Sequence, residues 1–155
     1  MKILVMSEKL CLSKMKEPFF ESFIVISISS PDRKGIRLYN PFMREALYLQ
    51  FYDLDTKPLD KFFYTVNGTK EKFVLFNKKD AKNILQFVKK YEKEVDLIIV
   101  NCGAGISRSA GVAAALSFIY NGDNSFYFRQ YSPNKLVYRI ILNEYNKGKN
   151  NGIVC

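Results

Sequence analysis

Leu97-Ile98-Ile99-Val100-Asn101-Cys102-Gly103-Ala104-Gly105-Ile106-Ser107-Arg108-Ser109-Ala110-Gly111 is the stretch on which the fold turns. Its first four residues are an unbroken apolar run, the pattern of a central strand covered on both faces. Its end continues into Val112-Ala113-Ala114-Ala115-Leu116, small and apolar side chains suited to a helix packed closely on a sheet. Between strand and helix, two glycines and an alanine let backbone N–H groups turn toward one centre, where the following helix adds the positive end of its dipole. An oxyanion fits such a cradle. The residues expected to bind phosphate are Gly103, Ala104, Gly105, Ile106, Ser107 and Arg108. Cys102 shares the positive environment, which lowers a thiol from its free value of roughly 8.5 and favours the nucleophilic thiolate. Arg108 closes the loop with a planar fork matched to two phosphoryl oxygens, and Ser109 is placed to donate a hydrogen bond to the thiolate.

Outward from this segment, apolar and β-branched runs predict strands at Lys2–Ser7, Phe23–Ser29, Ile36–Tyr39, Ala46–Tyr52 and Asp96–Asn101. Asn77 and Asp80 open a pattern with Ala81, Ile84, Leu85 and Val88 on one face, predicting a helix over 78–94. Further helices are expected over 108–120 and, from Pro133, over 133–147. Asn67-Gly68 between apolar runs is a turn signal, so 61–76 reads as a hairpin bordering the site. No repeat or linker divides the chain. The expectation is one α/β domain over 1–155, with a central, mostly parallel sheet flanked by helices.

Composition narrows the chemistry. With 155 residues, 48% hydrophobic and 15% aromatic, the chain can build a core, which excludes disorder as its main state. The absence of histidine excludes Ser-His-Asp and Cys-His catalysis and His-ligated zinc. The apolar runs are too short for a membrane span, and the first eight residues turn polar too early for a secretory signal. Three cysteines without framework spacing then suggest free thiols in a cytoplasmic setting, Cys11 as a half-buried small hydrophobe and Cys155 as an exposed terminal thiol. The net charge of +9 divides as +1 over 1–55, +5 over 56–94, 0 over 95–120 and +3 over 121–155. A solvated surface accounts for such a spread, and so does a field that attracts phosphate-bearing partners. The clusters Phe62-Phe63-Tyr64 and Phe126-Tyr127-Phe128-Arg129-Gln130-Tyr131 read as core packing first and as pocket walls or base-stacking surfaces second.

Cys102 through Ser109 resembles the C-x5-R-[ST] signature of the cysteine-dependent protein tyrosine and dual-specificity phosphatases. Asn101 through Gly111 is similar to the HC-x-AG-x-SRSAG form of small dual-specificity-like phosphatases of bacteria and phages. More loosely, Phe76–Val88 resembles the helix before their central strand, and Pro133-Asn134 through Tyr138-Arg139 their closing helix. The resemblance implies a protein tyrosine phosphatase-like fold and a two-step reaction without metal or other cofactor. In it Cys102 attacks phosphorus, an aspartate protonates the leaving oxygen, and water hydrolyses the cysteinyl phosphate. Ala46 through Asp55 resembles the strand entering the acid loop, which makes Asp53 the first candidate, Asp55 the second and Asp60 a third. As neighbours, Asp53 and Asp55 would help keep one carboxyl protonated; as solvated turn residues, they would have no role. One departure stands at Asn101, where the family ordinarily has histidine. Asparagine retains a donor and an acceptor for the loop but tunes the thiolate less strongly.

Three functions follow. The first is a phosphatase of phosphotyrosine or other phosphomonoesters. The second is a binding protein that keeps the cradle without turnover and captures a phosphorylated protein or nucleotide-type small molecule. The third is a phosphatase of RNA ends, drawn by the positive charge. No membrane partner is expected, and oligomeric state is not encoded in any pattern here.

Overall fold

The computed structural model describes residues 1–55, 63–66 and 69–150. In chain order the elements are β1 (Lys2–Ser7), α1 (Glu8–Lys14), β2 (Phe23–Ser29), β3 (Met43–Gln50), β4 (Phe63–Val66), β5 (Thr69–Lys72), α2 (Lys78–Tyr91), β6 (Leu97–Cys102), α3 (Arg108–Asn121), α4 (Ser125–Gln130) and α5 (Lys135–Asn150). Four strands form one sheet in the order β1-β6-β2-β3, and every pairing in it is parallel.

Side-chain alternation along β2 and β6 splits the core into two layers. Ile24, Ile26, Ile28, Ile98 and Val100 face a cluster with Ile84 and Val88 of α2, Val112 and Leu116 of α3, and Val137 and Ile141 of α5. Phe23, Val25, Leu97 and Ile99 face the other way, against Cys11, Met15 and Leu38. Both faces of the two central strands are therefore covered, which is why they read as continuous apolar runs. The site loop leaves the C-terminal end of β6, where ligands bind in open parallel sheets.

Several boundaries differ from the pattern reading. The segment 36–39 is not a strand: Leu38 donates its N–H to Tyr48 Oη at 3.1 Å, and β3 takes the edge of β2 where that strand would pair. The strand expected over 46–52 runs instead over Met43–Gln50, in step with β2 apart from a register shift at Phe23/Ile24. Helix α2 stops at Tyr91, and α5 runs from Lys135 to Asn150. Two short helices escaped the reading, α1 of 7 residues and α4 of 6. Ser7 caps α1 by accepting Leu10 N–H at 3.2 Å, and Cys11 beneath it is fully buried rather than half-buried. At α2 the expected cap is a complete capping box between Asn77 and Asp80.

β4 and β5 pair antiparallel as the expected hairpin, while its turn residues Asn67 and Gly68, with Phe62, Asp60 and Cys155, lie outside the described residues. Tyr127 belongs to the core and donates its hydroxyl to Ile3 O at 2.9 Å. Its neighbours Phe126 and Phe128 are exposed. Among the described residues, no helix is long and apolar enough to cross a membrane.

Candidate active site

The loop between Cys102 and Arg108 is held from both sides by backbone contacts and close glycine approaches. Gly105 has φ of 71°, and a Cβ there would stand 2.4 Å from Ser7 N and 2.5 Å from Met6 C, so only glycine fits against the end of β1. Glu8 N–H then donates to Gly103 O at 3.2 Å, tying the loop to the start of α1. On the other side Ser132 N–H donates to Ile106 O at 3.2 Å and Asn134 N–H to Ser107 O at 3.0 Å. Gly111, one turn into α3, permits this approach, because a Cβ there would meet Asn134 O at 2.7 Å.

The result is a buried thiol with donors aimed at it. Cys102 is 2% exposed, and its Sγ lies 3.1 Å from Ser109 Oγ. Burial, the largest influence, pushes the thiol up; the Ser109 hydroxyl and the N–H groups of Ser109, Gly105 and Ile106 outweigh it together, and the net direction is down. Cys11 shows the opposite: burial, followed by the charge of Glu8, pushes it up to about 11.

Arg108 ends the loop and opens α3. Its Nη1 donates to Phe51 O at 2.9 Å and to Ser30 Oγ at 3.1 Å, which fixes the guanidinium plane. Its Nε is buried with no hydrogen-bond partner. A buried, unspent donor on an immobilised fork is the requirement for clamping an oxyanion. Gly103, Ala104 and Arg108 line a cavity of about 530 Å³ together with Ser30, Asp32 and Arg33 from the loop after β2. Glu8, Ser29 and Tyr52 line it too. Tyr52 in turn donates its N–H to Val74 O at 2.8 Å and packs edge-on with Phe73, so the segment leaving the hairpin contacts a residue that lines the cavity.

The two acid candidates take different partners. Asp53 Oδ1 accepts from Ser107 Oγ at 2.7 Å and from Asn134 Nδ2 at 2.9 Å, which brings it to the loop between Cys102 and Arg108. Asp55 Oδ1 accepts from Lys135 N at 2.7 Å, at the start of α5. Ser107 makes no side-chain cap to its own helix α3, its hydroxyl being committed to Asp53. Asn101 departs from expectation: it is fully buried, and neither its Oδ1 nor its Nδ2 has a partner, so it supplies no hydrogen bond to the loop.

Pattern reading missed Ser30, the Phe51 carbonyl and Asn134. Asn134 had a signal. An asparagine directly before a helical period is an N-cap, and its Oδ1 accepts Val137 N–H at 3.0 Å.

No family model and no curated protein sequence matches the chain. Solved structures do. Human DUSP28 is 12% identical, with 96% of this chain and 94% of that one covered and a TM-score of 0.59. PTPMT1 in complex with PI(5)P is 14% identical, with 97% and 94% covered and a TM-score of 0.56. The human tyrosine phosphatase-like serine/threonine/tyrosine-interacting protein is 15% identical, with 93% and 87% covered and a TM-score of 0.55. At these identities the likeness is one of architecture, and the chain has the protein tyrosine phosphatase fold of the dual-specificity type.

Proposed function

We propose that the protein hydrolyses phosphomonoesters through a cysteinyl-phosphate intermediate. The observation that carries this reading is the joining of a buried, acidified thiol at Cys102 to an arginine fork with an unspent donor, across one strand–loop–helix turn. In the first step the Cys102 thiolate forms the S–P bond as the P–O ester bond breaks, and Asp53 gives its proton to the leaving oxygen. In the second, water attacks phosphorus, Asp53 takes back a proton, and the S–P bond breaks to return the thiolate to the donors around it. Gly103, Ala104, Gly105, Ile106 and Ser107 cradle the phosphoryl oxygens with Arg108, while Ser109 steadies the departing sulfur. Asp53 is favoured over Asp55 because its carboxylate is bonded to the phosphate loop, whereas that of Asp55 is bonded to the start of α5. The substrate class is a phosphorylated protein or small molecule; one structural neighbour, PTPMT1, is in complex with PI(5)P.

The intermediate provides the test. Rapid acid quench during turnover of 4-nitrophenyl phosphate, followed by peptide mapping, is expected to find a phosphate adduct on the peptide bearing Cys102. Turnover with that peptide unmodified throughout the burst would contradict the mechanism.

A second reading, capture of a phosphorylated ligand without turnover, is favoured by the unpartnered Asn101. It predicts stoichiometric retention of a ligand that is recovered chemically unaltered.

A further inference from the structure

Phe20 is 94% exposed, the most of any large apolar side chain among the described residues. Its neighbour Phe19 is part of the core and packs its ring 4.3 Å from that of Phe23. The turn carrying both is fastened. Asn40, itself buried, donates its Nδ2 to Met15 O at 3.0 Å and to Glu17 O at 3.1 Å, while its Oδ1 accepts Phe42 N–H at 2.9 Å. An aromatic side chain presented to water on a braced turn loses little freedom when a partner covers it, and that lowers the cost of binding.

Phe20 lines a groove of about 280 Å³ together with Leu4 and Met6 of β1 and Leu97 of β6. A cavity of about 150 Å³ accepts benzene, so the groove has room for a phenyl ring. Phe20 of the same chain is too exposed to fill it. The charged residues lining the groove are Lys2, Lys14, Glu17 and Glu21, which sum to zero in a chain of net charge +9. Lys14 and Glu17 pair at 2.7 Å, whereas Lys2 and Glu21 have no ion-pair partner among the described residues. An acidic protein or an anionic membrane would be drawn to the basic remainder of the surface. A neutral patch that carries a knob, a hole and one unpaired charge of each sign is complementary to itself.

We propose that this face joins two copies of the chain in a two-fold contact. Phe20 of each copy enters the groove of the other, and Lys2 of one faces Glu21 of the other. The groove shares no lining residue with the cavity at Arg108, so the contact is independent of the phosphatase reading.

Sedimentation velocity from micromolar to near-millimolar protein tests this. The natural chain is expected to pass reversibly from monomer to dimer as concentration rises. Phe20→Ser should weaken self-association about tenfold or more. Lys2→Glu and Glu21→Lys each set like charges against one another in both halves of the contact, and each alone should weaken it about tenfold. Mixed in equal amounts, these two variants should recover the dimer, because every facing pair is then opposite in sign. A role in folding alone cannot produce such rescue between molecules. All three side chains are exposed, and a circular dichroism spectrum matching that of the natural chain is expected for each variant. A natural chain that stays monomeric throughout would overturn the proposal. So would a dimer that Phe20→Ser leaves unchanged, or charge variants that gain nothing on mixing. Flotation of a monomeric chain with phosphatidylcholine vesicles, lost in Phe20→Ser, would assign the ring to a lipid surface and equally overturn it.

Discussion

Cys102 Sγ and Ser109 Oγ stand 3.1 Å apart across the mouth of α3, in the buried floor of the loop. The contact joins the last residue of β6 to the second residue of α3. It also bears on the reactivity of Cys102, from which the loop to Arg108 departs.

The Cys102 thiol lies below its ordinary value because hydrogen bonds outweigh burial, whereas Cys11 is pushed up to about 11. Iodoacetamide labelling read peptide by peptide should therefore modify Cys102 at the lowest pH and leave Cys11 unmodified until the chain unfolds. Ser109→Ala removes a donor that favours the thiolate and should move the Cys102 labelling midpoint upward. A thiol depressed in the folded state contributes stability above its unfolded value, and that contribution is lost as pH falls through the folded value. Earlier labelling of Cys11 would contradict this account.

Arg108→Lys replaces a fork pinned by Phe51 O and Ser30 Oγ with a point charge. Titration with tungstate should show markedly weaker binding, and turnover of 4-nitrophenyl phosphate should fall by about 10²–10³. Ser30→Ala, which removes only one of the two anchors, should cost much less. Full retention of tungstate affinity in Arg108→Lys would remove this residue from the anion site.

Gly105→Ala meets the end of β1 as well as a left-handed backbone. The conformation alone costs about 1–2 kcal/mol, and the overlap with Ser7 N and Met6 C adds to it. Thermal denaturation should show a lower midpoint, and tungstate binding should be lost in the protein that remains folded. An unchanged midpoint with normal binding would show that the loop is not held as described.

Much of this was legible in the residues themselves. The continuous apolar run of β6 and the small residues of α3 allow little besides a doubly covered strand and a close-packed helix, so the loop between them could be read with its chemistry. The alternation of Ile36 and Leu38 is equally strand-like, yet β3 occupies the edge of β2. Pattern sees a strand's faces and not which neighbour will claim its edge. Helix α1 is too short to show a period; a cap at Ser7 and the burial of Cys11 hold it. Asp53 and Asp55 are indistinguishable by type. What separates them is a contact 81 residues away at Asn134 and another 80 residues away at Lys135.

Asn101 presents two buried amide atoms without partners. Replacing an unsatisfied polar side chain by an apolar one of similar shape removes a penalty of about 1–3 kcal/mol. Asn101→Leu should accordingly raise the unfolding midpoint in urea. A drop of comparable size would mean that the amide is satisfied in solution and supports the loop after all.

The central claim is that Cys102 is a nucleophile that turns over a phosphate ester without metal. Steady-state hydrolysis of 4-nitrophenyl phosphate in EDTA, from mildly acid to neutral pH, compares the natural chain with Cys102→Ser. The account predicts turnover by the natural chain and none by a folded variant that still binds tungstate. Equal rates in the two, or no turnover by a natural chain that retains its ligand unaltered, would contradict it.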